Sequence, residues 1–262
     1  MALLSLTRAR FKILHDAVPF SPIALTVLTA IFVFCFYNST FWSIGAEIFT
    51  GHVVSFLAFI LAVFFLLLAF FSLFGLPWIV KPFLAFIVIL SAVTSYYVDS
   101  LGVIIDRDMI QNIMVTTFTE SKHLITFGFV SHVVIYGVLP ALMICAVRIK
   151  PQTWLRTFGV PVLTLILSLT FSAGLLFSDY KTYASILRER KDFMSSFQPG
   201  APIVGTIRYA KMMARSNSMT VAAIGEDAHL GASYDNAPKP VLMIVVSGET
   251  ARSQNFSLNG YG

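Results

Sequence analysis

The run from 53 to 80 limits the possible folds most, because it contains no charged residue. A helix of about 20 residues crosses the hydrocarbon core of a membrane, so this run is long enough to span one. Over the whole chain 57% of residues are hydrophobic and 12% are charged, whereas about a quarter are charged in a soluble domain. We therefore expect a polytopic, mainly α-helical membrane protein whose partner is the lipid bilayer, with no nucleic acid among its partners.

Five apolar segments are long enough to be transmembrane helices, and they cover residues 23–41, 52–74, 80–98, 124–147 and 157–177. The fourth contains Pro140, which predicts a kink. It also contains His132, for which both an intramembrane functional role and an interfacial position remain open. Cys35 and Cys145 lie in apolar runs, which predicts two buried free thiols rather than a disulfide.

Basic residues in the loops predict the orientation. With the N-terminus in the cytoplasm, the two short outer loops carry only Arg107 and Lys122, and the cytoplasmic side carries more basic residues: Arg8, Arg10, Lys12, Lys81, Arg148, Lys150 and Arg156. This distribution follows the positive-inside rule. With five spans the C-terminus is then extracytoplasmic, which means periplasmic in a Gram-negative cell.

The outer loop over residues 99–123 combines apolar and polar residues. Its spacing predicts a short amphipathic helix from about Asp106, which can cap it, and such a helix would lie in the membrane interface. Asn112, Thr116 and Glu120 recur every four residues, so they would form a polar stripe on one helix face. Such a stripe can bind a lipid headgroup, or it can simply face water.

Residues 179–239 follow the last span and are basic in their first half. Tyr183, Ile186 and Leu187 indicate a helix at the membrane surface, and 203–213 is a second helical candidate. The basic charge favours attraction to anionic lipid phosphates or a solvated connector, and both interpretations stay open. Turn-forming residues over 219–239 predict a linker.

The last stretch, 240–262, contains a short apolar run at 242–246 that predicts a buried strand. Glu249 and Thr250 follow it, where an α/β sheet binds its ligands. They are candidates for metal binding and nucleophilic chemistry, or they belong to a solvated turn. The expected organisation is a five-span membrane domain (1–178, with a periplasmic loop at 99–123), periplasmic interfacial helices and linker (179–239), and the start of a truncated periplasmic α/β domain (240–262).

Several motifs together resemble one family. They are the stretch from Gly248 to Arg252 (GETAR), followed by 255–261 (NFSLNGY), and the stretches 105–113 (IDRDMIQNI) and 224–229 (IGEDAH). A weaker match is Tyr183-Ala184-Ser185 with Arg188, where Thr182 stands at a position commonly occupied by Asp. The chain is similar to the lipid A phosphoethanolamine transferases of Gram-negative bacteria, of the EptA and MCR type. The resemblance covers nearly the whole chain, although full-length members are roughly twice as long.

The resemblance implies a zinc-dependent enzyme in the bacterial inner membrane. It would move phosphoethanolamine from phosphatidylethanolamine to a phosphate of lipid A, which gives resistance to polymyxin. Its catalytic domain would have an alkaline-phosphatase and sulfatase type of α/β fold. By motif match Glu249 is a zinc ligand, Thr250 is its neighbour and not the nucleophile, and Asn112, Thr116 and Glu120 bind the donor headgroup. The nucleophilic threonine would follow Gly262, so residues 1–262 alone are expected to be inactive.

Other functions remain compatible with the sequence. A related transferase can use the lipopolysaccharide core or a periplasmic glucan as acceptor, and polyglycerol phosphate synthases share the five-span plan. A different class is a non-enzymatic membrane protein, such as a transporter or a packing subunit. That class predicts polar residues paired across the spans, and the spans of this chain are nearly free of charge.

Overall fold

A computed structural model describes residues 19–216, 225–229 and 253–260, together with single positions at 231, 234, 239, 242, 244 and 245. The described residues are mainly helical. The helices are α1 (Pro22–Phe36), α2 (Ser39–Ile48), α3 (Val53–Ser72), α4 (Val80–Leu101), α5 (Arg107–Val115), α6 (Phe118–Ser121), α7 (Phe127–Ala146), α8 (Trp154–Ser178), α9 (Tyr180–Glu189), α10 (Lys191–Ser195) and α11 (Gly200–Ser216). Short 3-10 turns occur at Lys122–Leu124, Ser253–Asn255 and Ser257–Asn259.

Four of the described helices, α3, α4, α7 and α8, are long and apolar enough to cross a membrane, and the bent pair α1–α2 makes a fifth candidate. This agrees with the five predicted spans. The helices pack in the spatial order α8, α3, α1, α4 and α7. We call the end of this bundle that carries Leu101 and Phe127 the outer end, following the predicted orientation.

The predicted first span, 23–41, is not one continuous helix. It breaks between α1 and α2, whose axes are bent by 67°. The 15 residues of α1 extend only about 22 Å, which is shorter than the roughly 30 Å hydrocarbon core. The first span is therefore incomplete without the bent segment α2.

Asn38 lies at this break and is buried. Its Nδ2 donates to the carbonyl oxygen of Val33 (3.0 Å) and to that of Gln198 (3.3 Å), and its Oδ1 accepts from the backbone N–H of Gln198 (2.7 Å). Thr94 of α4 donates to Oε1 of Gln198 at 2.7 Å. We call Asn38, Thr94 and Gln198 the amide cluster, and it joins the broken span to a residue beyond the last span.

The turn 196–199 is inserted into the bundle rather than resting on its surface. Gln198 is completely buried against Thr94, and Thr94 lies seven residues before Leu101, which is about 10 Å below the end of α4. Phe193 is also buried and stacks on Phe41 with ring centroids 4.5 Å apart. The sequence correctly predicts the helices on either side of this turn, α9 and α11. It does not predict the insertion of the turn or the short helix α10.

The fourth span, α7, changes its winding before Pro140. A π-helical segment occupies Val133–Val138. Proline has no N–H to donate to the carbonyl four residues earlier, which here belongs to Tyr136. The hydroxyl of Tyr37 donates to that carbonyl instead, so a residue at the break of the first span also satisfies the irregular part of α7.

Small residues bring α3 and α8 close together. Ser168 and Ser172 of α8 are buried, and Ser172 Oγ donates to the carbonyl oxygen of Ala62 at 3.0 Å. Close packing through small residues is typical of helices in membranes. Cys35 and Cys145 are free thiols as predicted, but both are exposed, because they lie on helix faces that none of the described helices covers. The expectation that they are buried is wrong.

By contacts the chain divides into two units, Met1–Asn217 and Ser218–Gly262. The first contains all the helices from α1 to α11. In the second, the described residues Leu242, Ile244 and Val245 of the predicted strand are not in a strand. The remaining strand positions, Glu249 and Thr250 lie outside the described residues. The α/β domain and the predicted domain boundaries therefore remain predictions.

The amide cluster predicts an order of stability among variants. Asn38→Ala removes the partner of a buried backbone N–H at Gln198, so we expect it to cost about 1–3 kcal/mol of unfolding free energy. Gln198→Ala keeps that N–H, and Thr94 can donate to the carbonyl oxygen of Leu90 at 2.9 Å instead, so the loss should be smaller. Thermal and denaturant unfolding in detergent measure both.

Gln111→Ala, which removes an exposed amide from α5, is the matched control and should leave stability unchanged. Equal losses for Asn38→Ala and Gln111→Ala would contradict the structural role of the cluster.

Candidate functional site: the headgroup segment at the outer end

Helix α5 begins where the sequence predicts it. The Oδ1 atom of Asp106 accepts from the backbone N–H groups of Asp108 (3.0 Å) and Met109 (2.9 Å). This is the N-cap arrangement that satisfies the free donors of a first helical turn. Gly102 adopts a positive φ of 64° at the end of α4, a conformation that favours glycine. These two local signals separate α5 from the transmembrane helix before it.

The three predicted headgroup residues do not share one helix face. Helix α5 ends at Val115, the backbone of Thr116 is extended, and Glu120 belongs to the separate helix α6. The predicted stripe along one helix is therefore wrong in its geometry. The helix ends within a run of β-branched residues, Val115, Thr116 and Thr117, which have restricted side-chain rotamers in a helix.

The three residues still occupy one short segment, 112–120, which we call the headgroup segment. Thr116 Oγ1 donates to the backbone carbonyl of Asn112 at 2.6 Å. Glu120 Oε2 accepts from the backbone N–H of Thr117 at 3.2 Å. The structure thus brings Thr116 into contact with Asn112 and links Glu120 to the residue after Thr116, and it shows no direct contact between Asn112 and Glu120.

The headgroup segment is open to ligands. Asn112 and Glu120 are exposed, and Thr116 is partly buried. Within the part of the chain that the structure describes, the Asn112 carboxamide has no hydrogen-bond partner. An amide can donate to phosphate oxygens, and a carboxylate can accept from an ammonium group. The segment therefore offers groups for both ends of a zwitterionic headgroup.

Helix α11 packs against the start of α5. A Cβ atom at Gly205 would lie 3.0 Å from the carbonyl oxygen of Asp106, so any larger residue would force the two segments apart. Glycine allows this close approach of backbones. The position of α5, and with it the headgroup segment, depends on α11.

The outer end of α4 positions the start of α7 through consecutive polar side chains. Tyr96 and Thr126 share a hydrogen bond between hydroxyls at 3.1 Å, and Tyr97 donates to the carbonyl oxygen of Leu124 at 3.2 Å. Ser95 Oγ lies 3.4 Å from Nε2 of His132. The structure thus gives His132 a polar partner within the bundle. These contacts between α4 and α7 are not predicted in the sequence analysis. The hydroxyl residues at 94–97, near the end of a predicted span, are the feature that indicates them.

No group of three or more His, Cys, Asp or Glu residues that could hold a metal ion occurs among the described residues. In the stretch 224–229, His229 Nδ1 lies 2.9 Å from the carbonyl oxygen of Asp227. Glu249, the predicted zinc ligand, lies outside the described residues.

Comparison with known proteins identifies the family. The sequence profile described as phosphoethanolamine transferase EptA/EptB matches residues 63–214, which is more than half of the chain. The chain belongs to this EptA/MCR family. It is 36% identical over 188 residues to phosphoethanolamine transferase EptA of Escherichia coli K12, and 34% identical over 193 residues to phosphatidylethanolamine transferase Mcr-1 of Escherichia coli. Each match covers 70% of this chain and 34% of the relative.

A longer match reaches further along the chain. Phosphatidylethanolamine transferase Mcr-2 of Escherichia coli is 29% identical over 259 residues, covering 92% of this chain and 46% of the relative. The chain thus spans between a third and a half of the length of these relatives. Among solved structures, the lipooligosaccharide phosphoethanolamine transferase A (EptA) of Neisseria meningitidis is similar, with a TM-score of 0.69 and 28% identity over 74% of this chain and 37% of that one.

In this EptA/MCR family member, an ionic cluster holds α10 near α2. Arg190 lies 3.0 Å from Asp192 and 3.6 Å from Glu47 of α2. The hydrogen bonds from Arg190 hold the pKa of Asp192 below its ordinary value, and those of Asp192 raise the pKa of Arg190. We call Glu47, Arg190 and Asp192 the ionic cluster.

A second carboxylate fixes the start of α9. Hydrogen bonds from Thr182 and from Ser55 lower the pKa of Asp179, and the bond from Ser55 Oγ is 2.8 Å long. Tyr183 also reaches α3, because its hydroxyl donates to the carbonyl oxygen of Ser55 at 2.9 Å. Asp179 and Tyr183 therefore attach α9 to the bundle. From the sequence, α9 is predicted only as a helix at the membrane surface.

The ionic cluster predicts a dependence of stability on pH. The folded pKa of Asp192 is lowered, so its contribution is fully present above the ordinary value of 3.8 and is lost as the pH falls through the folded pKa. Asp192 is partly exposed, so we expect its contribution to the free energy of unfolding to be only about 0.2–1 kcal/mol. Asp192→Asn should therefore destabilise the protein at pH 7 and have less effect near pH 3.

Thermal unfolding at both pH values measures this. The control Asp108→Asn removes a carboxylate from the ion pair with Arg107, which is more exposed, and should change stability little at either pH. A loss for Asp192→Asn that is the same at pH 3 and pH 7 would exclude the ionised carboxylate as its cause.

Proposed function

We propose that this chain is the membrane part of a zinc-dependent transferase that moves phosphoethanolamine from phosphatidylethanolamine to a phosphate of lipid A. The reaction would occur at the periplasmic face of the bacterial inner membrane. The observation that carries the proposal is the exposed headgroup segment at the end of a membrane span, in a chain whose residues 63–214 match the phosphoethanolamine transferase family.

The chemistry of the headgroup segment fits the proposed donor. The Asn112 carboxamide can donate to the phosphate, and Glu120 can accept from the ammonium group through Oε1, since Oε2 already accepts from Thr117. Because Thr116 Oγ1 donates its proton to the Asn112 carbonyl, its hydroxyl oxygen remains able to accept from the ammonium group. The motif match assigns donor-headgroup binding to the same three residues, which supports this proposal.

Glu249 is the proposed zinc ligand, and the support for it is its place in the GETAR motif. The described residues do not assemble a metal site. When bound, zinc would activate an attacking oxygen and stabilise charge on the transferred phosphoryl group. The remaining ligands and the nucleophilic threonine are proposed to follow Gly262.

The proposed reaction has a physical consequence for the cell surface. Transfer of phosphoethanolamine adds an amine to a phosphate of lipid A, and this offsets part of the negative charge. Cationic peptides bind a surface more weakly when its negative charge falls. Resistance to polymyxin is therefore the expected phenotype.

The full-length protein tests the reaction and its acceptor. In cells that make it, the mass spectrum of lipid A should gain the mass of one phosphoethanolamine, and Glu249→Gln should abolish the gain. Cells that make only residues 1–262 should show no gain. The control Ser253→Ala changes an exposed residue four positions after Glu249 in the sequence and should retain activity.

The mass spectra also separate the alternatives. A gain on core sugars or on a periplasmic glucan would select a transferase with another acceptor. The absence of any gain while the full-length protein is present in the membrane would favour a non-enzymatic role. A gain from residues 1–262 alone would contradict the proposal that essential groups follow Gly262.

The headgroup residues are tested by kinetics with phosphatidylethanolamine as donor. Asn112→Ala and Glu120→Gln each remove a contact to a charged headgroup, worth about 1.5–3 kcal/mol, so kcat/KM should fall by about tenfold to a hundredfold. Gln111→Ala, on the same helix, is the control and should behave as wild type. Unchanged kcat/KM in both site variants would remove this segment from the donor site.

A further inference from the structure

Two cavities adjoin along α11. One cavity, of about 270 Å³, lies against the start of α5 and contains Ile105, Asp106 and Arg208 in its lining. The other, of about 220 Å³, reaches α3 at Leu66 and Phe70. The two share three lining residues, Phe197, Gly200 and Val204. The two cavities therefore adjoin along α11, and we call them together the groove, with an α3 end and an α5 end.

The α3 end of the groove is apolar. Leu66, Leu67 and Phe70 line it on α3, and Ile203 lines it on α11. Leu66 is 13 residues after Val53, which places it about 20 Å from the outer end of α3. This part of the groove therefore lies within the apolar length of the bundle, at a depth where hydrocarbon chains surround a membrane protein.

The α5 end of the groove carries one basic and one acidic side chain, Arg208 and Asp106. Arg208 is exposed there, and it makes no ion pair with any residue that the structure describes. Asp106 lines the same cavity, and its Oδ1 accepts from the first turn of α5, while Arg208 is the group in this lining that can bind an anion. Arg208 follows Gly200 by eight residues, which is about 12 Å along α11. Arg208 is thus separated from the apolar α3 end of the groove by roughly the distance between the phosphate of a phospholipid and the upper part of its acyl chain.

We propose that this groove binds a phospholipid, with its phosphate at Arg208 and one acyl chain along the apolar part. Arginine holds phosphate through charge-assisted hydrogen bonds, and an acyl chain fills an apolar groove without leaving a polar group unpaired. A peptide segment at the same depth would bury backbone N–H and C=O groups without partners. The chemistry of the groove therefore favours a lipid over a polypeptide.

The proposed lipid site is separate from the headgroup segment. Asn112, Thr116 and Glu120 lie beyond the middle of α5, whereas the groove meets α5 only at its beginning, and none of the three lines the groove. The bound phospholipid would occupy the side of α11 that also holds α5 through Gly205. It would therefore fix the position of α11, on which the headgroup segment depends.

Photolabelling in lipid nanodiscs tests the proposal with the 262-residue chain. The probe is a phosphatidylethanolamine with a diazirine on one acyl chain, and peptide mapping locates the adducts. The variants come in matched pairs on α11. Arg208→Gln removes the groove cation and Lys211→Gln removes an exposed cation outside it. Val204→Trp places a bulky side chain in the groove at the wall that both cavities share. Ile207→Trp adds the same bulk at a position that does not line the groove.

We expect groove adducts on the peptides that contain 66–70 and 200–204. Arg208→Gln should lower them about tenfold, as the loss of a contact to a charged group predicts, and Val204→Trp should lower them similarly. Lys211→Gln and Ile207→Trp should match wild type. Adducts on the exposed face of α8, for example near Leu163 and Ile166, report bulk lipid and the folded state, and should be the same in every protein.

Two outcomes would overturn the proposal. Groove labelling that Arg208→Gln leaves unchanged, and that a diazirine diacylglycerol without phosphate reproduces, would mean ordinary bulk lipid contact. Loss of the groove adducts on addition of inorganic phosphate, as complete as on addition of unlabelled phospholipid, would mean that an anion alone occupies the site and that the acyl chain is not required. Because Arg208 is exposed, its substitution does not disturb the core, and because the experiment needs no turnover, its result is independent of the proposed transfer reaction.

Discussion

The buried pairing of Asn38 with Gln198 is the interaction on which the rest of the structure depends. An amide inside an apolar bundle costs free energy unless its donors and acceptors are satisfied. A break in α1 also exposes carbonyl groups at the end of that helix. Asn38 and the inserted turn at 196–199 satisfy each other, so the bent first span and the inserted turn require one another.

This pairing determines the positions of elements far from it. The inserted turn leads directly into α11, and α11 contacts the start of α5 through the backbone approach at Gly205. Helix α5 in turn carries the first residue of the headgroup segment. The ionic cluster and Asp179 add attachments for α10 and α9. The helices after the last span therefore act as a support for the residues proposed to bind a headgroup, and do not form a separate surface layer.

The sequence predicts features that have local causes. Four spans follow from uninterrupted apolar length, and α5 follows from Asp106 and the spacing after it. The break at Asn38 could not be predicted, because the residue that pairs with Asn38 lies 160 residues away in the sequence. The predicted polar stripe was wrong for a different, local reason. A four-residue spacing places side chains on one face only while the helix continues, and α5 ends at Val115. The roles of Glu249 and Thr250 depend on motif resemblance, since they lie outside the described residues.

The bent span also explains why this bundle can present sites for lipids along its side. Five straight helices of full length would close the outer third of the bundle with apolar faces and leave polar groups only at the ends. Here α1 stops short, and the space is filled by the segment from Phe193 to Ala201, which brings Gln198 and the start of α11 into the apolar layer. A helix that starts inside the bundle and emerges with Arg208 necessarily passes from hydrocarbon to headgroup level. Such a helix offers an apolar wall and a cation on one continuous surface, which straight spans joined by short loops do not provide.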